Sequence, residues 1–308
     1  MMKIGDTGQR IKDFQQKLLD LGELMPRWGA DGDLGTETLD ALTSLCKSHG
    51  RARDPDPKVV SEAEQNFVDA LVELLRTPPE AGEPARLIDR RQFASKKWDY
   101  GQRGINDIWG MTAHQTACWL SVSKDPARCD TVGAAFVIMA DKNGFYGDGD
   151  VIWLHDDERL VVHGNEFNTK CTSFEIDGLF AGLEGDPTTV WDDPSTPWKE
   201  TAGTVSELQI ESAMQLVRWR RAETIRKGGV KFKVLNTHRQ SSASRRNDPG
   251  SKVVQRVLVP LWAELGLTDG GPGSLAAGAD GGYPNPREWI PNDPARAPYG
   301  YHDPARYS

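Results

Sequence analysis

The run Lys231-Phe232-Lys233-Val234-Leu235 passes directly into Asn236-Thr237-His238-Arg239-Gln240-Ser241-Ser242-Ala243-Ser244-Arg245-Arg246-Asn247-Asp248-Pro249-Gly250. The first five residues read as a strand, so His238 emerges at a strand end. The polar stretch behind it cannot bury itself and must be a loop. Proline after Asp248 biases that residue towards an extended backbone and sets the direction of its carboxylate, and Pro249-Gly250 makes a turn. A strand-end histidine and a loop carboxylate ten residues later supply two ligands of a three-ligand zinc site. A third nitrogen or thiolate must then lie elsewhere.

Outward from this segment the chain alternates strands and helices. Strand-like runs occupy Ile108 to Ala113, Ala134 to Ala140, Val151 to Leu154 and Ser173 to Ile176. Ser206-Glu207-Leu208-Gln209 is a capping box, and Ile210, Met214 and Val217 repeat on one helical face behind it. Another helix is expected from Ser251 to about Leu265. The pattern predicts an α/β domain, with one mixed central sheet flanked by helices, over residues 87–268. Residues 1–76 differ: Ile11, Phe14, Leu18 and Leu21, then Leu39, Leu42 and Leu45, stand at helical spacing. Ser61-Glu62-Ala63-Glu64 opens a third helix. A small N-terminal three-helix domain is expected there. A proline-rich linker covers 77–86, and a Gly/Pro-rich tail without regular structure, laid on the surface, covers 269–308.

With 308 residues, 38% hydrophobic and 27% charged, the composition is that of a soluble globular protein of one large or two ordinary domains. A net charge of −8 disfavours nucleic acid and anionic membranes as partners. The four cysteines, Cys46, Cys118, Cys129 and Cys171, show no CxxC spacing and are expected to be free. The N-terminus lacks the apolar core of a signal peptide, and no 18-residue apolar run occurs. Synthesis in the cytoplasm without membrane insertion is therefore expected.

His114 follows the strand-like Met111-Thr112-Ala113 as His238 follows its own strand. With Asp248 these histidines make a His/His/Asp set that leaves a fourth position for water. His155 or His163, around the turn Asp156-Asp157-Glu158-Arg159, are alternatives to His114. A hydrolase also needs a base and a donor for the oxyanion. Glu175 alternates with Phe174 and Ile176, and the pattern alone favours a surface position for it. Arg246, two residues before Asp248, is placed to reach over a metal, although a solvated loop arginine is the commoner case. His49 and His302 receive no role.

Four pieces in this order carry a resemblance: His114-Gln115-Thr116, Val162-His163-Gly164-Asn165, Ser173-Phe174-Glu175-Ile176-Asp177-Gly178, and His238 through Gly250. They resemble the zinc-dependent N-acetylmuramoyl-L-alanine amidases of the type 2 amidase/peptidoglycan recognition protein superfamily, over about residues 88–266. The resemblance implies Zn2+ held by His114, His238 and Asp248, with Glu175 as catalytic base. It implies that Arg246 stabilises the oxyanion where relatives usually carry lysine, and that His163, Asn165 and Thr116 contact substrate. Where some members carry a tyrosine, the strand Ala134 to Ile138 has alanine, so no tyrosine-assisted variant is expected. The segment from Glu184 to Glu200, with Trp191 and Trp198, either shapes the groove or is a plain insertion.

Gly5-Asp6-Thr7-Gly8, Phe14-Gln15, Leu18-Leu19, Gly22 and Asp31 through Thr38 are similar to the three-helix peptidoglycan-binding module found beside wall hydrolases, with Thr36 as a helix cap. Together the resemblances imply a monomeric peptidoglycan hydrolase of endolysin type. It would be released to the wall by holin-type export and would cleave the amide between N-acetylmuramic acid and L-alanine. A non-catalytic peptidoglycan recognition protein and a zinc peptidase acting within the stem peptide are the alternatives.

Overall fold

In the N-terminal part, Ile11, Phe14 and Leu18 fall on one side of helix α1 (Gln9–Asp20), and all three are buried. They meet Leu39, Leu42 and Leu45 of α2 (Thr36–Ser48) and Val68 and Val72 of α3 (Glu62–Arg76) in one core. The two short strands β1 (Met2–Lys3) and β2 (Val59–Val60) pair antiparallel. The capping box forms: Ser61 N donates to Glu64 Oε2 at 2.9 Å, and Glu64 N donates to Ser61 Oγ at 3.3 Å. Gln15, almost fully buried, organises the 31–38 turn. Its Nε2 donates to Asp31, to Asp33 O and to Thr38, while its Oε1 accepts from Gly32 N. Thr36 lies inside α2 rather than before it.

The computed structural model describes residues 1–21, 23, 25–48, 51–76, 81–165, 167–190, 202–229, 232–242, 244–270, 282–290 and 300–301. The expected linker core 77–80, the Trp191 and Trp198 segment, His49 and His302 lie outside these. The chain divides into two compact units, Met1–Glu80 with Ala222–Lys231, and Ala81–Arg221 with Phe232–Ser308.

The second unit is built on a mixed six-stranded sheet. Its strands are β3 (Leu87–Asp89), β5 (Gly110–Gln115), β6 (Phe136–Ile138), β7 (Val151–Trp153), β9 (Cys171–Ile176) and β10 (Val234–Thr237). They lie in the order β10-β5-β9-β6-β7-β3, parallel except for the β6–β7 pair. Between them in sequence, β4 (Asp99–Gln102) and β8 (Arg159–Val161) form a separate antiparallel pair. The short helix α4 (Phe167–Lys170) leads into β9.

Alternation sorts the strand residues onto two faces. Met111, Ala113, Phe136, Ile138, Phe174 and Ile176 join one core with Ile210, Ala213 and Val217 of α5 (Glu207–Arg226). The helical stretch after the Asp248 loop packs there too, as α6 (Ser251–Val253), a π turn over Val254–Leu258, and α7 (Val259–Leu265). Val137, Met139, Ile152 and Leu154 instead meet Leu120 and Cys129 on the opposite side.

Two expectations change here. The strand expected over Ile108 to Ala113 is shifted to Gly110–Gln115, so His114 lies within it. The tail is not all surface: Trp289 is 0% exposed and its indole donates to Gly182 O at 2.6 Å. Packing of scattered aromatics, without any period along the chain, brings this irregular segment inside.

Candidate active site

His114 and Glu175 stand on the sheet face opposite α5, because Ala113, Phe174 and Ile176 take the positions facing the helix. Strands β5 and β9 run parallel with His114 directly beside Glu175, one residue before each strand ends. On the other edge of β5, β10 pairs Thr237 with Ala113. His238 follows Thr237 and so meets His114, the ring centroids lying 4.3 Å apart.

The loop after His238 returns Asp248 to the same place. Asp248 Oδ1 accepts from Gln115 N at 2.8 Å, and its Oδ2 lies 2.8 Å from His238 Nδ1. Gln115 Nε2 also donates to Asn247 O at 2.9 Å. Its Oε1 accepts from Phe180 N at 2.6 Å. Sequence reasoning gave Gln115 no role; its one signal was its place next to His114. One donor atom each from His114, His238 and Asp248 lies within 4.8 Å of the others.

Hydrogen bonding decides which atom His114 presents. His163 Nε2 lies 3.0 Å from Cys171 O, which can only accept, so that nitrogen carries the hydrogen. In the neutral ring His163 Nδ1 is then an acceptor, and His114 Nε2 donates to it at 3.1 Å. A neutral His114 therefore has its lone pair on Nδ1, which is buried and has no hydrogen-bond partner. Neutrality fits the burial, which lowers His163 to about 3 and holds His114 well below the usual histidine range.

Glu175 is half-buried, and its Oε2 is buried without a partner. Burial first, and then the charge of Asp248, hold its carboxyl well above the ordinary range. The surface position favoured by alternation is corrected. At this end of the sheet the face opens into a cleft of about 340 Å³, lined among others by Trp98, Asn165, Glu175, His238 and Arg245. Gly164 belongs to its wall because a Cβ there would lie 3.5 Å from the His238 ring and 3.7 Å from the His114 ring.

No protein-family model matches the chain. Over 54 residues, 18% of its length, it is 39% identical to a probable N-acetylmuramoyl-L-alanine amidase of Bacillus licheniformis. It is 37% identical over 54 residues to the N-acetylmuramoyl-L-alanine amidase CwlL of the same organism. The chain is similar to amidases. The match spans about 15% of the length of these curated relatives. Among solved structures, an endolysin amidase, LysCS, from Clostridium intestinale superposes with a TM-score of 0.38 at 13% identity, covering 61% of this chain and 99% of that one. Peptidoglycan recognition protein SA of Apis mellifera does so with 0.38 at 14% identity, covering 57% and 93%.

The remaining site residues fall in different places. Arg246 is outside the cleft lining: its guanidinium lies 5.1 Å from the centre of the Tyr283 ring, and Nη2 donates to the Tyr283 hydroxyl at 3.2 Å. Arg245 lines the cleft instead. The Thr116 hydroxyl donates to Cys118 O at 2.6 Å and accepts from Gly178 N at 2.9 Å, which closes a turn and leaves it off the lining. Asn165, at φ 50°, lines the cleft while its Nδ2 donates to Ser241 O at 2.6 Å. His163 also borders the cleft, but both ring nitrogens are engaged inside the protein. His155 is outside the metal-competent group, and none of the four cysteines forms a disulfide.

The three donors could hold a metal ion. Two imidazoles and one carboxylate are a known catalytic donor set with an open fourth position, and the orphaned His114 Nδ1 is the kind of buried atom a cation satisfies.

Proposed function

We propose that this chain is a zinc-dependent N-acetylmuramoyl-L-alanine amidase. It would hydrolyse the amide between the muramoyl lactyl group and L-alanine of the peptidoglycan stem peptide. One observation carries the reading: three convergent donors beside a carboxylate whose buried oxygen has no partner, with His238 and Glu175 lining an open cleft.

His114, His238 and Asp248 would hold the ion. Bound zinc supplies Lewis acidity towards a carbonyl and lowers the pKa of water. The residues of the chain do the rest. Glu175 Oε2 accepts the proton of the attacking water and returns it to the leaving amine, so one carboxyl serves as base and then as acid. Arg245 faces negative charge developing on the carbonyl oxygen and, as an arginine, offers charge and hydrogen bonds without transferring a proton. His163 holds the His114 tautomer. Asn165 and Trp98 line the path of the substrate.

In the same reading residues 1–76 are a wall-binding module, joined through 77–86 to the catalytic part, and the chain acts as a monomeric endolysin on the cell wall. The ordered turn built by Gln15 around Gly32 supports a folded module of its own. Among the described residues no helix is long and apolar enough to cross a membrane.

Clearing of purified cell walls, followed by turbidity with and without chelator, tests the proposal. Clearing that stops with chelator and returns with zinc is expected. Binding to walls without clearing, indifferent to chelator, would leave a recognition protein.

A further inference from the structure

The segment 282–290 and residues 300–301 have no regular strand or helix, yet they grip the loop that carries two of the proposed ligands. Tyr283 N donates to Arg239 O at 2.9 Å, and Arg239 Nε donates to Pro284 O at 2.9 Å. The Arg239 guanidinium, 0% exposed, stands 5.4, 5.4 and 5.1 Å from the ring centres of Tyr283, Trp289 and Tyr301. On its other side it donates through Nη1 to Arg246 O, while Arg239 N donates to Asp248 O at 3.1 Å. One side chain thus ties the start of the loop to its end, across the residues between His238 and Asp248.

Asn285 does the same work one residue before His238. It is 1% exposed. Its Oδ1 accepts from the Thr237 hydroxyl at 2.6 Å, and its Nδ2 donates to Gln240 Oε1 and to Asp269 Oδ2, both at 3.2 Å. Gly282 is held so close that a Cβ there would lie 2.1 Å from Gln240 O. His238 is therefore flanked by Thr237 and Arg239, each fastened to the C-terminal segment rather than to the sheet alone.

We propose that this segment is a buttress of the ligand loop, and that Arg239 and Asn285 are positioning residues for His238 and Asp248. The proposal rests on the metal reading above. A polar loop between two ligands would otherwise sample many conformations, and each lost hydrogen bond around the ligands loosens their approach.

Asn285→Ala and Arg239→Lys, made in the full chain, test it. Zinc affinity is measured by competition with a chromophoric chelator, alongside the visible spectrum of the cobalt-loaded protein and unfolding of the metal-free form. Folded variants should bind zinc about 10–100-fold more weakly, the usual range for partners behind metal ligands, with an altered cobalt spectrum. A merely structural role would lower the unfolding midpoint and leave the zinc affinity of the folded protein unchanged. Wild-type affinity and spectrum in Asn285→Ala overturn the buttress, whether or not Arg239→Lys folds. Absence of zinc binding in the unaltered protein overturns the metal reading and this proposal with it.

Discussion

His114 Nε2 stands 3.1 Å from His163 Nδ1, and that contact decides which nitrogen of His114 is left to bind a cation. The Cys171 carbonyl sets the His163 tautomer, and that tautomer leaves His114 Nδ1 orphaned. His163→Phe keeps the ring volume and removes the acceptor. Zinc affinity should fall about 10–100-fold, measured by competition titration. Unchanged affinity would return His163 to the substrate role that its motif implies.

Glu175→Gln preserves shape and removes the base. The variant should bind zinc as the unaltered protein does and lose about 10²–10⁴-fold in turnover of cell walls. Turnover within a few-fold of the original would take Glu175 out of the mechanism.

Arg245 and Arg246 are separable because one lines the cleft and the other lies over Tyr283. Arg245→Ala should lower kcat about 10²–10³-fold, as loss of an oxyanion donor does, with zinc content unchanged. Arg246→Ala should change kcat far less. The opposite ranking in steady-state assays would restore the role to Arg246.

In the N-terminal unit Glu64 makes stability depend on acid. Burial pushes its carboxyl up, but hydrogen bonds from Asp54 N and Ser61 N and the Arg53 guanidinium outweigh that and hold it below the ordinary range. A depressed folded pKa gives stabilisation that is complete above the unfolded value of about 4.3 and is lost as pH falls through the folded value. Glu64→Gln should therefore cost about 1–3 kcal/mol at neutral pH, and the difference should close in acid. Denaturant unfolding at both pH values reads it out; a gap that persists in acid means Glu64 acts through packing.

The sequence made part of this site legible. His238 and Asp248 stood out because a strand, a polar loop and a Pro-Gly turn leave few places for them to go. Glu175 was harder, since alternation assigns a residue to a face but does not say whether that face is open, covered or a cleft. Arg245 and Arg246 are neighbours on an irregular loop, and no periodicity tells which one turns inward. Trp289 and Asn285 were invisible for a related reason. Their burial comes from an aperiodic segment wrapped against the ligand loop, and only tertiary packing places them. The resemblance implies that Thr116 contacts substrate, yet local backbone hydrogen bonds claim its hydroxyl.

The most direct test of the account is mass analysis of the products released from defined peptidoglycan by the zinc-loaded protein. The account predicts stem peptides with a free L-alanine amine and glycan strands left intact. Cleavage within the stem peptide, cleavage of the glycan, or no release from walls that the protein binds would contradict it.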